Sequence, residues 1–163
     1  MHGSGKVISI LNKLLTGELT AADQYFVHAR MLHNWGFNVL YERIEHERND
    51  ELDHAGRLIN RILFLEGIPD VASRAPLSLG ADVPAMMDND LAYELTVVKE
   101  LKDAIALCES ERDFETRRIL VDLLEETEQD HVHWLEVQVG LIQKLGLDNY
   151  LQSAAGTLSS SAS

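Results

Sequence analysis

The sequence contains few of the residues that cross-link chains or interrupt helices. Cys108 is its only cysteine, so no disulfide can form within the chain, and it is expected to be a small buried apolar residue. All three prolines, Pro69, Pro76 and Pro84, lie between residues 68 and 85. No apolar run is long enough to cross a bilayer, and no apolar signal-peptide core follows the first residues. These absences favour a cytoplasmic protein that does not enter a membrane.

Basic residues are also scarce. The chain has 14 lysines and arginines but 27 aspartates and glutamates, which gives a formal net charge of -13. General binding to nucleic acid needs a basic patch, so this composition argues against nucleic acid as a partner. A solvated acidic surface and a cationic cargo both fit the charge, and composition alone does not choose between them. With 163 residues, of which 45% are hydrophobic, the chain can form one domain with a sizeable core.

On either side of the proline-containing segment, the sequence has the apolar periodicity of amphipathic helices. Four long helices are predicted, over residues 6–34, 39–66, 83–110 and 114–145. A short amphipathic segment at 148–152 is too short to be stable alone, so it must dock on this bundle or on a neighbouring subunit. We expect one domain over residues 1–155 and a disordered, Ser-rich tail over residues 156–163.

The segment between the second and third helices is unusually long for a connection within a compact domain. It can carry the chain from one end of a bundle to the other, so the third helix need not run antiparallel to the second. Four-helix bundles with one long crossover connection are a known topology. The prediction is therefore an all-α four-helix bundle with one long crossover loop and a short fifth helix at the C-terminus.

Six acidic and histidine residues interrupt the apolar stripes of the four helices. Four of them form two Glu-x-x-His pairs, a spacing that places both side chains on one face of a helix. The six are Glu18, Glu51, His54, Glu94, Glu128 and His131. Four buried carboxylates would repel one another unless cations neutralise them. Oxygen-rich ligation with one imidazole per metal suits two iron or manganese ions.

One glutamate from each of two helices and Glu-x-x-His from each of the other two is the ligand pattern of ferritin-like di-iron carboxylate bundles. By symmetry, Glu18 and Glu94 would be terminal ligands, and Glu51 and Glu128 would bridge the metals. Each imidazole would then bind one metal. Two metals about 4 Å apart can deliver two electrons to O₂ or peroxide together. The predicted reaction is oxidation of Fe(II) to Fe(III).

Several segments of the sequence resemble the bacterioferritins, and together they cover nearly the whole chain. They include LNKLL at 11–15, DQYF at 23–26, HARM at 28–31, NWG at 34–36, RILFLEG at 61–67 and LGLDNYLQ at 145–152. The resemblance implies a ferritin-like bundle that assembles into a hollow shell of 24 subunits and stores ferric mineral. It implies a ferroxidase centre, and all six ligand positions of that centre are filled here. A ferredoxin-type protein is the candidate reductant for iron release.

Leu52 departs from the family pattern. Bacterioferritins usually carry a Met directly after the first bridging glutamate, and two such Met residues from a two-fold pair of subunits ligate a haem iron. Leucine has no lone pair to offer, so haem b is not expected in the homo-oligomer, although Met31 and Met86 match residues that line the family's haem pocket. A haem-free homo-oligomer and a mixed shell, whose second subunit type supplies the haem Met, both fit.

Other residues match family positions of less defined role. His46 and Asp50 match a secondary iron position on the inner surface of some members, and a solvated helix face explains them equally well. Tyr25 and Trp134 lie near the ligands by helical spacing. They either donate electrons during O₂ reduction, as the resemblance allows, or are simply core aromatics. The residues that resemble those around family pores are Asn34, Glu66, Asn149 and Gln152, with His133 in place of an acid.

Two other functions compete with iron storage by a ferroxidase. A soluble di-iron oxygenase or peroxidase would need an access cleft to the metals, and the uninterrupted apolar stripes give no sign of one. A structural subunit that only lines a mixed shell should have lost ligands, whereas this sequence keeps all six. We therefore expect an iron-storage ferroxidase.

Overall fold

Four helical rods and a short C-terminal helix make up residues 2–156, the part of the chain that the computed structural model describes. The helices are α1 (Gly5–Trp35), α2 (Asn38–Phe64), α3 (Val83–Ser110), α4 (Phe114–Glu126), α5 (His133–Leu145) and α6 (Leu147–Ala155). A π-helical segment, Thr127–Val132, joins α4 to α5, so that these three form one rod. The all-α fold with a short C-terminal helix is confirmed. Residues 157–163 of the predicted tail lie outside the described part.

The helix ends follow the local chemistry of the sequence. Gly36 ends α1 in the left-handed conformation, with φ 85°, and its N–H reaches the carbonyl oxygens of the last turn. Asp82 caps α3 by accepting a hydrogen bond from the N–H of Ala85 at 2.9 Å. Asp113 caps α4 in the same way, with the N–H of Thr116 at 3.0 Å. The short turns at both ends make α1 and α2, and likewise α3 and α4, antiparallel neighbours.

A row of polar side chains on α1 binds the backbone of the crossover loop, residues 65–82. The loop first meets Asn12, which donates to the carbonyl oxygen of Ile68 at 3.1 Å and accepts from the N–H of Asp70 at 2.7 Å. Further along α1, three side chains accept from loop N–H groups: Thr20 from Ala75 at 2.9 Å, Gln24 from Ser78 at 2.9 Å and His28 from Gly80 at 3.0 Å.

This row leads the loop along α1 from near its first residues to near its last. The loop then turns sharply into α3 at Gly80, where a Cβ atom would lie only 2.3 Å from the backbone nitrogen of Met86. Helix α3 therefore begins beside the end of α1 and runs antiparallel to it, so it is parallel to α2. The long crossover predicted from the proline-containing segment is confirmed.

Two separate apolar clusters fill the bundle. One lies where α1 and α3 meet the C-terminal half of α2 and the start of α4. Its largest fully buried side chains include Leu11, Leu15, Leu58, Ile62, Leu101 and Leu120. The other lies towards the opposite end and is built around Leu32, Ile44, Met86, Met87, Leu135 and Tyr150. Each helical rod contributes to both clusters, and a layer of buried polar side chains separates them.

Helix α6 docks on this bundle and completes the second cluster. Tyr150 and Ala154 are its buried residues, and the hydroxyl of Tyr150 donates to Gln138 of α5 at 2.9 Å. Of the two docking partners expected for this segment, the structure has the segment's own bundle. Within residues 2–156, no helix combines the length and the apolar character that crossing a membrane requires.

Candidate metal centre

Five of the six predicted ligands form the polar layer between the two apolar clusters. Each of them is 1% exposed, and all four rods contribute. They are Glu18 from α1, Glu51 and His54 from α2, Glu94 from α3 and His131 from the π-helical segment. We call these five side chains the buried cluster.

The buried cluster divides into two triads that share Glu51. In each triad, one atom of every member lies within 4.8 Å of the others, as the ligands of one metal ion must. The first triad is Glu18, Glu51 and His54, with both carboxylates 3.7 Å from His54 Nδ1. The second is Glu51, Glu94 and His131, with the carboxylates 2.8 and 3.4 Å from His131 Nδ1.

Glu51 presents a different oxygen to each triad. Its Oε2 is the atom nearest His54 Nδ1, and its Oε1 is the atom nearest His131 Nδ1. The two imidazole rings are stacked, with centroids 5.6 Å apart and an interplanar angle of 16°. A carboxylate held in this way can bridge two cations, each bound by one imidazole nitrogen and one further carboxylate.

Most polar atoms of the buried cluster have no hydrogen-bond partner in the described part of the chain. These atoms are both oxygens of Glu18, Oε1 of Glu51, Oε2 of Glu94 and Nδ1 of His54 and His131. Leaving one buried polar group unsatisfied costs roughly 1–3 kcal/mol, and more if it is charged. The donor set, three carboxylates and two imidazole nitrogens, therefore fits a pair of divalent cations, which would satisfy these atoms.

Without cations, the two imidazoles carry the compensating charge. Burial alone would lower the pKa of His54, but Glu18 and Glu51 outweigh it and raise this pKa to about 11. Burial alone would also lower the pKa of His131, but Glu51 and Glu94 outweigh it and raise this pKa to about 12. Burial and the neighbouring charge of Glu51 raise the pKa of Glu18 above its ordinary value. The acids therefore dominate the electrostatics of the site.

Glu128 does not lie in the buried cluster, and the expectation that its side chain faces inward is wrong for this structure. The side chain is 44% exposed and pairs with Lys102 Nζ at 2.7 Å. The reason is the π-helical segment: its wider i to i+5 turns mean that residues three apart no longer share a face. Thr127 is buried in place of Glu128, four residues before His131.

Two carboxylates that are not among the six predicted ligands lie beside the imidazoles. Glu47 Oε2 is 3.1 Å from His131 Nε2, and Glu126 Oε2 is 3.0 Å from His54 Nε2. Glu47 is a buried acid on the apolar stripe of α2, one turn before Glu51, and that position is the signal that could have found it. Glu126 is 43% exposed and gives no such signal.

The two aromatic residues predicted near the centre differ in their contacts. Tyr25 is buried, and its hydroxyl donates to Glu94 Oε1, the oxygen of that carboxylate that lies nearest His131 Nδ1 in the second triad. Burial and the charges of Glu94 and Asp90 raise the pKa of Tyr25 well above 10. Trp134 is only partly buried, and Arg43 lies over its ring, 5.0 Å from the centroid.

Comparison with known proteins agrees with this architecture. The model of the ferritin-like domain family matches residues 8–145. A bacterial ferritin of Paramagnetospirillum magnetotacticum is 58% identical over the full length of both chains. A bacterial ferritin of Synechocystis is 52% identical over 94% of this chain and 98% of its own. A bacterioferritin of Mycolicibacterium paratuberculosis is 39% identical over 92% of this chain and 94% of its own.

The chain is a bacterioferritin-family protein. Membership of this family supports iron storage and metal binding as its general function. The buried cluster lies within the matched range, as does every residue named in the two triads.

The position that carries the haem-ligating Met in bacterioferritins lies on the surface of α2. Leu52 is 43% exposed there. Met86, predicted to match a residue of the haem pocket, is fully buried in the second apolar cluster, while Met31 only packs against that cluster from a partly buried position. The expected absence of haem from the homo-oligomer stays a prediction.

The remaining bacterioferritin-like positions are on the surface of the chain. His46 and Asp50 are exposed or partly exposed, with Nε2 and Oδ2 3.4 Å apart, and the same Asp50 oxygen is 3.7 Å from His131 Nε2. The residues that resemble pore positions are all exposed: Asn34, Glu66, His133, Asn149 and Gln152. Their roles stay predictions.

Proposed function

We propose that this chain is the ferroxidase subunit of an iron-storage shell. Two Fe(II) ions bind as substrates in the two triads, Glu18 with His54 for one and Glu94 with His131 for the other, and Glu51 bridges them. Each Fe(II) loses one electron. The two electrons, with two protons, reduce O₂ to H₂O₂, or H₂O₂ to two waters, and the Fe(III) product passes to the mineral store.

This proposal rests on the buried cluster, which has the geometry of a metal site and contains polar atoms without hydrogen-bond partners among the described residues. Three carboxylates and two imidazoles are buried between apolar clusters, and six of their polar atoms have no hydrogen bond within the described residues. Such a layer destabilises the bundle unless it serves a ligand. Two divalent ions that share one carboxylate satisfy the layer, and a shared carboxylate keeps them close enough for a two-electron step.

Glu128 belongs to the proposal as a fourth carboxylate that joins when metal binds. The buried cluster offers three carboxylates, with a charge of -3 when ionised, against +4 for two divalent ions. The ion pair between Glu128 and Lys102 is exposed on both sides, so its loss costs only about 0–1 kcal/mol. The remaining positive charge favours turning Glu128 inward, where it would act as the second bridge.

The storage part of the proposal rests on the family. A hollow shell of 24 subunits in the cytoplasm would hold the ferric mineral, and His46 with Asp50 would receive iron on its inner surface. A ferredoxin-type reductant would return the iron as Fe(II). The exposed apolar side chains, which include Phe26, Val39 and Phe114, give each subunit surface to bury against neighbours.

A mixed shell is the second candidate, and Leu52 is the observation that favours it. Leucine offers no lone pair to a haem iron, so a second subunit type would have to supply the haem Met. This chain would then contribute the ferroxidase centre.

A soluble di-iron oxygenase or peroxidase is the weaker candidate. An organic substrate would need to reach the triads, yet each member of the buried cluster is only 1% exposed. A nearby surface cavity, beside Tyr93 and Gly17, holds about 180 Å³, and no member of the cluster lines it.

The proposal is tested by removing single ligands from the assembled protein. Glu18→Ala and His131→Ala should abolish rapid Fe(II) oxidation, because each removes a ligand that only one triad can supply and two-electron chemistry needs both ions. Stopped-flow absorbance of Fe(III) formation gives the rate, and native mass spectrometry gives the subunit number together with metal and haem content.

Glu125→Ala is the matched control, since Glu125 is an exposed acid on α4 whose described contact is with Gln129. It should oxidise Fe(II) at the wild-type rate. Wild-type rates in both ligand variants would refute the ferroxidase proposal. A particle with bound haem would refute the expectation drawn from Leu52, and two subunit masses in shells from the native source would favour the mixed shell.

A further inference from the structure

Two carboxylates outside the buried cluster contact the two imidazoles on the side away from the triads. His54 Nε2 donates to Glu126 Oε2 at 3.0 Å, and His131 Nε2 lies 3.1 Å from Glu47 Oε2. In both cases Nδ1 is the nitrogen that faces the triad. Each imidazole therefore lies between a triad and an outer carboxylate.

Each outer carboxylate comes from the helical rod opposite its imidazole. His54 is on α2 and Glu126 is the last residue of α4, whereas His131 is on the π-helical segment and Glu47 is on α2. The two contacts thus cross the same helix interface in opposite directions. They link the backbone position of one rod to the ring orientation on the other.

Each outer carboxylate is itself held by an arginine of α2. Arg57 Nη1 donates to both oxygens of Glu126, at 2.9 and 3.1 Å. Arg43 pairs through Nε with Glu47 Oε1, the oxygen that does not face His131. The series arginine, carboxylate, imidazole, triad therefore occurs twice, although the sequence spacing differs between the two.

This arrangement fixes which imidazole nitrogen is available to a metal. When a metal replaces the proton on Nδ1, an imidazole whose Nε2–H is directed at a carboxylate binds that metal through Nδ1, and the carboxylate also holds the ring plane and increases the basicity of Nδ1. Both Nδ1 atoms lack a hydrogen bond within the described residues. The ring orientation therefore points each Nδ1 at the carboxylates that would share its metal.

We propose that Glu126 and Glu47 are positioning residues, one for each metal of the pair. Glu126 orients His54 for the triad with Glu18, and Glu47 orients His131 for the triad with Glu94. Neither carboxylate needs to touch a metal. This inference deepens the ferroxidase proposal and rests on it.

The test uses Co(II) as the probe and follows its visible absorption during anaerobic titration of the assembled shell. Glu94→Ala should leave only the first triad intact, and Glu18→Ala should leave only the second. Adding Glu126→Ala to the Glu94→Ala protein should weaken the remaining Co(II) site about 10- to 100-fold, the usual effect of losing an outer carboxylate. Adding Glu126→Ala to the Glu18→Ala protein should leave the Co(II) affinity of its remaining site unchanged.

Glu47→Gln should give the converse pattern, with its loss confined to the Glu18→Ala protein. Glu125→Ala serves as control in both backgrounds, because it removes a neighbouring acid that contacts neither imidazole. If Glu126→Ala does not assemble, Glu126→Gln keeps the size of the side chain and an acceptor oxygen, and should produce a smaller loss at the same site.

The outcomes separate this inference from the function on which it rests. Equal effects of Glu126→Ala in both backgrounds, or no effect in either, would overturn the positioning role while two Co(II) ions per wild-type subunit still supported the metal centre. A wild-type shell that binds no Co(II) would overturn the metal centre itself and the positioning role with it.

Discussion

The segments Glu51–His54 and Glu128–His131 have the same spacing, but they sit on different backbones. On α2, a regular helix, both members of the pair are buried. On the π-helical segment His131 is buried, while Glu128 faces solvent and pairs with Lys102. Spacing therefore places both members of a pair on one buried face only where the helix keeps its ordinary turn, and the wider turn separates two residues that the pattern places together.

In the proposed site, this difference separates a fixed half, built on Glu51, from a movable half, built on Glu128. Glu51 lies between two imidazoles and belongs to both triads without any change in the structure. Glu128 must give up a surface ion pair before it can join them. π-helical segments are often found at functional sites. Here the segment keeps one carboxylate available outside a layer that is already crowded with negative charge.

The largest effect should come from the fixed half. Glu51→Ala should eliminate both Co(II) sites, a loss greater than the 10- to 100-fold typical of an outer partner, because both triads need this carboxylate. Glu128→Ala should lower the affinity for Co(II) only about 10- to 100-fold, since both triads remain. Anaerobic Co(II) titration of the two variants measures the difference.

Equal losses in Glu51→Ala and Glu128→Ala would make the two halves equivalent bridges, as their spacing alone suggests. An unchanged Glu128→Ala protein would remove Glu128 from the ligand set.

A smaller effect concerns how the rod that carries the irregular pair is held against α2. Arg61 of α2 donates to Asp113 Oδ1 at 2.9 Å and to Thr116 Oγ1 at 2.7 Å, at the first turn of α4. Burial alone would raise the pKa of Asp113, but hydrogen bonds from Thr116 and the charge of Arg61 outweigh it and lower this pKa below 3.8. Asp113→Asn keeps an N-cap acceptor but removes the charge that pairs with Arg61 and the N-terminus of α4, so it should cost about 1 kcal/mol at pH 7.

The pH dependence of this cost follows from the lowered pKa. The ionised carboxylate stabilises the fold fully above the unfolded-state value of 3.8, and the contribution is lost as the pH falls through the lower folded-state pKa. Urea unfolding of wild type and Asp113→Asn should therefore differ at pH 7 and converge at more acidic pH. Asp103→Asn, at an exposed position on α3, is the control. A difference that grew on acidification would contradict the proposed charge on Asp113.

The smallest effect should come from the partner of the movable half. Lys102→Met removes the ammonium that holds Glu128 outside, without touching either triad. An exposed ion pair contributes up to about 1 kcal/mol, so Co(II) should bind up to about fivefold more tightly. The same titration measures it, with Lys99→Met as a control on the same helix. Weaker binding in Lys102→Met would mean that Lys102 assists the site instead of competing for its carboxylate.

The fold could be predicted from the sequence wherever one periodicity governed a long segment. The apolar stripes around Leu11, Leu58 and Leu101 placed three rods correctly, and the clustered prolines identified the crossover. The same stripes placed Glu18, Glu51 and Glu94 in the interior, because each acid replaces an aliphatic residue at its position.

The parts that could not be predicted depend on contacts between elements. The sequence periodicity places Glu128 on the apolar stripe, but a local change of helix type turns its side chain outward. The sequence contains no signal for that change. Glu126 and Arg57 acquire a role only when α4 packs against α2. The residues of the row, Asn12, Thr20, Gln24 and His28, are spaced by multiples of four. Polar residues at that spacing usually face water, so the sequence does not predict their contact with the loop.

That row has a consequence for how the connecting segment can vary. Helix α1 holds the crossover loop mainly through the loop's main-chain amides at positions 70, 75, 78 and 80. Most side chains of the loop are therefore free to change. The number of residues between successive anchors is not free, since one deletion would shift every later amide out of reach of its acceptor. Natural relatives should therefore differ widely in the composition of this segment and hardly at all in its length.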